Sequence, residues 1–172
     1  VESGVGQGGR FTISLPWHEP EPGQHASVGA ENSVTGDAML RGDDGNKFTI
    51  LVVEDNSANL AAMEEYLTSK GYHSVHAADG YEALAKAAES SPDLIVMDIQ
   101  MPRMDGLEAT RRLRANPQFA TTPIIALTAH AMIGDRERCL AAGATDYLGK
   151  PVRLEELTAR IKALIHRASA ST

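Results

Sequence analysis

The sequence is poor in cysteine and has no long apolar run. Cys139 is the single cysteine among 172 residues, so the chain cannot form an internal disulfide, which fits a reducing environment. No stretch approaches the roughly 18 consecutive apolar residues that a membrane-spanning helix needs. We therefore expect a cytoplasmic location and no membrane insertion by this chain. Any membrane attachment of a longer parent protein would lie in other segments.

Positive charge is also scarce. The sequence has 16 basic and 23 acidic side chains, which gives a formal net charge of −7. This balance disfavours a general nucleic-acid surface and binding to anionic membranes, because both carry negative charge themselves. We expect no nucleic acid among the partners of this chain.

Composition divides the chain near residue 46. Residues 1–46 hold nine glycines and three prolines, a level typical of disordered segments. Within them, only residues 9–17 alternate as a strand does, and residues 18–46 are predicted to be a flexible linker. The chain begins with Val1 rather than Met, so we expect it to be a fragment of a longer protein.

From Lys47 onward, five short apolar strands alternate with five helical patterns. Strands that are apolar throughout are typical of a parallel sheet covered on both faces. The pattern therefore predicts a doubly wound α/β domain. Its strands are predicted at residues 48–54, 72–77, 93–98, 123–129 and 145–149. Its helices are predicted at residues 57–69, from the capping box DGYE (79–82), at 105–115, at 132–142 and along the apolar stripe from Leu154 to Ile165.

Polar residues stand where the predicted strands end. The first strand ends in Glu54 and Asp55, the third in Asp98 and the fourth in Thr128, and Lys150 follows the fifth. Ligands of open α/β sheets bind at the carboxyl ends of the strands. We expect these side chains to share one crevice.

Three carboxylates this close would repel one another unless a cation compensates. An all-oxygen, partly hydrated site suits Mg2+, and Lys150 adds a further positive charge. Asp98 could then stay ionised and act as a nucleophile. Phosphoryl transfer fits this set, with Lys150 and the Thr128 hydroxyl contacting the phosphoryl oxygens and an aspartyl phosphate as the product.

Each residue also has an ordinary structural explanation. An aspartate at a strand end commonly starts a turn, and an acidic pair commonly caps a helix. Lys-Pro commonly forms a surface loop, and Thr128 can be a plain strand residue. The arrival of all of them at one edge of one sheet favours the functional interpretation.

Residues 47–167 resemble the receiver domains of two-component response regulators. The resemblance rests on VVEDN (52–56), DIQMPRMDGLEA (98–109), ALTAHA (126–131), AGATDYLGKP (142–151) and the spacing between these motifs. It implies a flavodoxin-like sheet with strand order 2-1-3-4-5 and a domain spanning residues 47–172.

The resemblance also implies a role for each site residue. Asp98 matches the phospho-acceptor, and Lys150 matches the lysine that pairs with the phosphate and precedes a cis proline. Glu54 and Asp55 match the acidic pair that holds Mg2+, although Glu-Asp stands where the family has Asp-Asp. The backbone carbonyl of Gln100 is expected to complete the metal shell. Thr128 and Tyr147 match the switch on the face made by the fourth helix, fifth strand and fifth helix.

Two features are similar to hybrid sensor histidine kinases. VVEDNSANL (52–60) resembles their attached receivers, and GVGQGGRFTISLPW (4–17) resembles the closing segment of a kinase ATP-binding domain. We therefore expect residues 1–17 to be a remnant of that domain. The phosphoryl donor would be the kinase core of the parent, itself a histidine kinase, or a histidine phosphotransfer protein.

Three alternatives remain open at this point. The first is the receiver of a stand-alone response regulator. The second, from another class, is a phosphatase with an aspartate nucleophile, which needs a second acid two residues after Asp98, where Gln100 stands. The third is a flavodoxin-like cofactor binder, which the acidic segment EDNSAN (54–59) disfavours because it would repel phosphate. The sequence also lacks a P-loop, and GVGQGG (4–9) precedes a strand rather than opening a helix.

Overall fold

The structure, a computed structural model, describes residues 48–129 and 133–169. The predicted remnant at residues 1–17 and the predicted linker at residues 18–46 lie outside the described residues. Five strands are present within one residue or two of the predicted limits. They are β1 (Thr49–Val53), β2 (His73–Ala77), β3 (Leu94–Asp98), β4 (Ile124–Thr128) and β5 (Asp146–Gly149).

Five α-helices connect and follow the strands. They are α1 (Ser57–Ser69), α2 (Gly80–Ser90), α3 (Gly106–Ala115), α4 (Ile133–Ala141) and α5 (Leu154–Ser169). A single turn of 3-10 helix at Pro117–Phe119, which the sequence pattern does not reveal, precedes β4. None of the described helices combines the length and the apolarity that crossing a membrane requires.

The strands form one parallel sheet with the order β2-β1-β3-β4-β5. This confirms the predicted fold class and strand order. The winding direction reverses between β1 and β3, which are neighbours with Val53 opposite Met97. A crevice at the carboxyl ends of these two strands is the place where such sheets bind ligands.

The core lies on both faces of the sheet. On one face, α1 and α5 pack on Ile50, Val52 and their neighbours in β3 and β4. On the other face, α2 and α3 cover Leu51 and Val53, and α4 packs over Ala126. Each fully buried aliphatic side chain stabilises the fold by about 1.5–3 kcal/mol.

The prediction that every strand is buried on both faces holds for the central strands and is wrong for the two edge strands, β2 and β5. In β5 only Leu148 is buried. β3 and β4 are buried throughout, whereas His73 and His76 of β2 are both exposed. β2 lies at the edge of the sheet, so its side chains receive less cover than those of an internal strand.

Local sequence signals explain where the first helices begin and end. Asn56 caps α1, and Gly71, with a φ of 88°, follows its last turn. The amides of Gly71 and Tyr72 donate to Thr68 and Leu67 in a Schellman arrangement. Glycine suits this position because other residues resist positive φ.

The capping box of α2 differs in one detail from its prediction. Asp79 Oδ1 accepts from the amides of Tyr81 and Glu82, as an N-cap should. The Glu82 carboxylate, however, accepts from the amide of Ala78 at 2.9 Å rather than from that of Asp79. Side-chain hydrogen bonds therefore hold the backbone amides both before and after Asp79, whose own backbone is extended.

Candidate active site

Three carboxylates meet at the carboxyl ends of β1 and β3. One oxygen each from Glu54, Asp55 and Asp98 lies within 4.8 Å of the other two. Glu54 is 1% exposed and Asp98 2%, while Asp55 faces solvent. The adjacency of β1 and β3 explains this meeting, because each strand delivers its acid as it leaves the core.

Lys150 joins this cluster from the far side of the sheet. Its Nζ donates to Asp98 Oδ2 at 2.7 Å and to Glu54 Oε2 at 2.8 Å. Its amide donates to the carbonyl of Thr128 at 2.7 Å, which ties the start of this loop to β4. The Lys150–Pro151 peptide bond is cis, as the resemblance implies.

Gln100 contacts Asp98 through its backbone. Its amide donates to Asp98 Oδ1 at 3.0 Å, so both oxygens of Asp98 accept hydrogen bonds. The expected contribution of the Gln100 carbonyl to a metal shell stays a prediction. The contact that the structure shows instead orients the Asp98 carboxylate.

The two predicted switch residues belong to neighbouring strands, β4 and β5. Thr128 is the last residue of β4 and is 5% exposed, so the structure places it at the strand ends beside the acids. Tyr147 of β5 is half-buried, and the guanidinium of Arg136 lies 5.7 Å from its ring centre. Their switching roles stay predictions.

The pKa values of Asp98 and Lys150 reflect the burial of the pair. Burial raises the pKa of Asp98, and the charge of Glu54 adds to this rise, whereas Lys150 and the Gln100 amide oppose it. Burial alone would lower the pKa of Lys150. The hydrogen bonds and charges of Asp98 and Glu54 outweigh that effect and raise the pKa. The lysine therefore stays charged while Asp98 protonates more readily than a free aspartate.

The donor set fits a divalent cation that prefers oxygen. Three carboxylates face one ammonium group, so negative charge exceeds positive charge in the cluster. Hard cations such as Mg2+ bind through one or two carboxylates and keep several waters. The exposed Asp55 leaves one side of the cluster open to solvent, as a partly hydrated ion requires.

Sequence reasoning missed two polar contacts, one with the acidic cluster and one with the cap of α2. Asn59 Nδ2 donates to Glu54 Oε1 at 3.0 Å. The exposed guanidinium of Arg103 forms an ion pair with buried Asp79, which links the loop after β3 to the start of α2. Neither Asn59 nor Arg103 belongs to a recognisable motif. The sequence indicates a role for them only through their closeness to site residues, since Asn59 follows Glu54 by five residues and Arg103 follows Asp98 by five.

A model of the response regulator receiver domain matches residues 50–162. The chain belongs to the response regulator receiver family. This membership agrees with the sheet order and with the place of the acidic cluster, and it argues against the phosphatase and the cofactor binder. It leaves the role of each individual residue to be tested.

Receiver domains of several kinds of protein are similar to this one. The response regulator MprA of Mycobacterium sp. (strain KMS) is 46% identical over 120 residues, which is 70% of this chain and 51% of MprA. The chain thus spans about half the length of the curated relatives it matches. These relatives are response regulators, which favours the stand-alone alternative over the hybrid kinase.

Two solved structures resemble the domain closely. One is the receiver domain of the sensor histidine kinase PA1611 from Pseudomonas aeruginosa, which was solved with a magnesium ion coordinated in its active-site cleft. It has a TM-score of 0.65 and 44% sequence identity, and the match covers 69% of this chain and 98% of that one. The receiver domain of Saccharomyces cerevisiae Ssk1 was solved with the histidine phosphotransfer protein Ypd1. It has a TM-score of 0.63 and 33% sequence identity, and the match covers 67% of this chain and 86% of that one.

Proposed function

We propose that this receiver domain accepts a phosphoryl group on Asp98 from a phosphohistidine, with Mg2+ bound by Glu54, Asp55, Asp98 and the Gln100 carbonyl. One observation carries the proposal above all. A single ammonium group, that of Lys150, lies within hydrogen-bond distance of both buried carboxylates. A positive charge beside Asp98, at the carboxyl end of the central strand β3, supports the role of Asp98 as the nucleophile.

The chain's own residues account for most of the transfer. An Asp98 oxygen forms a bond to phosphorus while the bond from phosphorus to the donor imidazole breaks. The electron pair returns to that nitrogen, which takes up a proton from solvent. Lys150 and the Thr128 hydroxyl would stabilise charge on the phosphoryl oxygens. Bound Mg2+ would supply the charge that keeps the carboxylates ionised and neutralises the incoming phosphoryl group.

The likeness to the Ssk1 receiver solved with Ypd1 supports a histidine phosphotransfer protein or a kinase core as the donor. A cavity of about 270 Å3 is lined in part by Asn59 and Lys150, and both of these residues donate hydrogen bonds to Glu54. Its lining is mostly apolar and comprises Asn59, Ala62, Met63, Lys150, Pro151, Val152 and Leu154.

Phosphorylation would be read out on the surface of α4, β5 and α5. Thr128 would move toward the phosphoryl group, and Tyr147 would rotate inward behind it. A local change of charge would thereby select between two arrangements of this surface. Thr128 ends β4, and Tyr147 pairs with Ala126, two residues earlier in the same strand. This proximity on neighbouring strands supports such coupling.

Two protein contexts suit this domain. The curated relatives support a response regulator. The hybrid kinase is supported by the motif at residues 4–17 and by the 44% identity to the PA1611 receiver. In the hybrid, residues 1–17 would close an ATP-binding domain, 18–46 would form a linker and 47–172 the receiver. The coding sequence upstream of this segment decides between the two contexts. An ATP-binding kinase core encoded there would identify the protein as a hybrid kinase.

The phospho-acceptor is tested with a small phosphodonor such as acetyl phosphate, with Mg2+, and intact mass as the readout. We expect one added phosphoryl group on the unaltered chain and none on Asp98→Asn. Asp93→Asn is the matched control, because Asp93 lies at the opposite end of β3, where Oδ2 accepts from the Thr49 amide. Labelling that persists in Asp98→Asn would place the acceptor elsewhere.

A further inference from the structure

The buried carboxylate of Glu54 is held between two donors. Lys150 Nζ donates to Oε2 at 2.8 Å, and Asn59 Nδ2 donates to Oε1 at 3.0 Å. Lys150 also donates a hydrogen bond to Asp98, whereas Asn59 donates to Glu54. Since Glu54 is 1% exposed, these two donors set the direction in which its oxygens face.

The start of α1 fixes the place of Asn59. The side chain of Asn56 caps this helix, and its Oδ1 accepts from the amides of Ala58 at 3.0 Å and Asn59 at 3.1 Å. The backbone of Asn59 is thereby tied to the cap, one helical turn beyond the acidic pair. Its side chain is then free to turn back to Glu54, five residues earlier.

The contact depends on the length of the glutamate. Aspartate at this position would withdraw the carboxylate by one methylene, about 1.5 Å. A donor at 3.0 Å would then lie beyond hydrogen-bond distance. The pairing of Asn59 with Glu54 is therefore specific to the longer acid.

We propose that Asn59 is a positioning residue for the metal site, acting through Glu54 and not on the phosphoryl group itself. This inference rests on the proposed function, because it takes the acidic cluster to bind Mg2+. Groups that hydrogen-bond a metal-binding carboxylate fix its orientation, and their loss weakens metal binding. Asn59 would do this from a surface helix while Lys150 remains available to Asp98.

A double-mutant cycle tests the proposal, with Mg2+ affinity measured by isothermal titration calorimetry. The four proteins are the unaltered chain, Asn59→Ala, Glu54→Asp and the double variant. We expect Asn59→Ala to weaken Mg2+ binding about tenfold when Glu54 is present. In the Glu54→Asp background, the same substitution should change the affinity by less than about twofold, because the contact is already lost.

Equal effects of Asn59→Ala in the two backgrounds would overturn the proposal, as would an unchanged or tighter Mg2+ site in the single variant. Thermal unfolding in EDTA separates stability from positioning. If Asn59→Ala lowers stability and leaves Mg2+ affinity intact, its role is structural and the proposal fails. Thr68→Ala, a neutral change at an exposed position of the same helix, should leave Mg2+ affinity unaltered.

The failure of this inference differs from that of the proposed function. If the unaltered chain binds Mg2+ and the cycle is additive, the role of Asn59 alone is wrong. If the unaltered chain binds no Mg2+, the metal site of the proposed function is wrong and the role of Asn59 falls with it.

Discussion

Lys150 Nζ lies 2.7 Å from Asp98 Oδ2, although 52 residues separate the two in sequence. The lysine follows β5 at one edge of the sheet, and the aspartate ends the central strand β3. The side chain must therefore reach across the end of β4 to form this contact. This ion pair and the second one to Glu54 compensate the charges of two buried carboxylates.

Removing that ammonium group should be costly. Lys150→Met keeps much of the side-chain volume and leaves Glu54 and Asp98 buried without their cation. Breaking a buried pair by removing one partner costs about 3–5 kcal/mol. We expect the lower end, about 3 kcal/mol, because Lys150 is 23% exposed and water can partly replace it. Chemical denaturation in EDTA measures the change.

The matched control is Lys86→Met. Lys86 pairs with exposed Glu89 on the surface of α2, and solvent screens such a pair so strongly that its loss should leave stability almost unchanged. A loss at Lys150 no larger than the loss at Lys86 would show that solvent, not the lysine, compensates the two acids.

Tyr72 buries a hydroxyl that finds no partner among the residues that the structure describes. The ring is 1% exposed and belongs to the core beside α1 and α5. Removing a buried polar atom that makes no hydrogen bond costs little and can stabilise. Tyr72→Phe should therefore unfold at the same denaturant concentration as the unaltered chain, or at a higher one, at neutral pH.

The same hydroxyl makes stability sensitive to alkaline pH. Burial raises the pKa of Tyr72 from 10.0 to about 12. The folded chain therefore holds this proton more tightly than the unfolded chain, and stability falls as pH rises from 10 to about 12. Two pKa units correspond to about 2.7 kcal/mol. The stability advantage of Tyr72→Phe should grow over this window, and a constant difference between the two proteins would contradict the shift.

Arg114, near the end of α3, forms hydrogen bonds with the segment between α3 and β4 and with the loop between α4 and β5. Its guanidinium donates to the carbonyls of Gly143, Phe119 and Thr122 at 2.7–2.8 Å and to Thr145 Oγ1 at 3.3 Å. Burial lowers its pKa. Lysine cannot reproduce this planar fork of donors. We expect Arg114→Lys and Arg114→Met each to cost about 2–4 kcal/mol, because several carbonyls lose their donor together.

Arg112→Met is the control for this prediction. Arg112 lies on the same helix and is 49% exposed, and it pairs with Glu108 one turn earlier. Solvent screens this exposed pair, so its loss should change stability very little. If urea denaturation gives similar losses for Arg112→Met and Arg114→Met, the carbonyl contacts of Arg114 contribute little.

The sequence predicts the place of the acids because strand ends follow from topology. Apolar runs mark where β1 and β3 leave the core, and parallel order brings their ends to one edge. The same logic brings Lys150 within 2.8 Å of Glu54 across 96 residues. Edge strands are harder to predict. β2 has the length and composition of a strand, yet the exposure of its histidines depends on a neighbour that only the fold reveals.

Contacts of single polar side chains were beyond the reach of sequence patterns. Asn59 and Arg114 follow no periodicity, and their partners depend on loop paths and rotamers. Glu82 shows the same limit at short range. Its spacing from Asp79 predicts a bond to the Asp79 amide, but the turn presents the Ala78 amide instead.

Gly106 offers a test of how tightly the loop after β3 is packed. It is the first residue of α3, and its amide donates to the Ile99 carbonyl at 3.0 Å. A Cβ here would collide with the backbone carbonyl of Asp98, and backbone cannot yield as a flexible side chain can. Gly106→Ala should therefore cost about 1–3 kcal/mol. It should also displace Asp98 and slow its labelling by acetyl phosphate.

Gly134→Ala is the matched control, because a Cβ at this position of α4 has no atom within 4 Å. Alanine is favoured over glycine in helices by up to about 1 kcal/mol, so this variant should be as stable as the unaltered chain or more so, and should label at an unchanged rate. Thermal unfolding and time-resolved intact mass give both readouts. If Gly106→Ala and Gly134→Ala had the same stability and the same labelling rate, the backbone beside Asp98 would have room to move. The close approach of α3 would then not hold the phospho-acceptor in place.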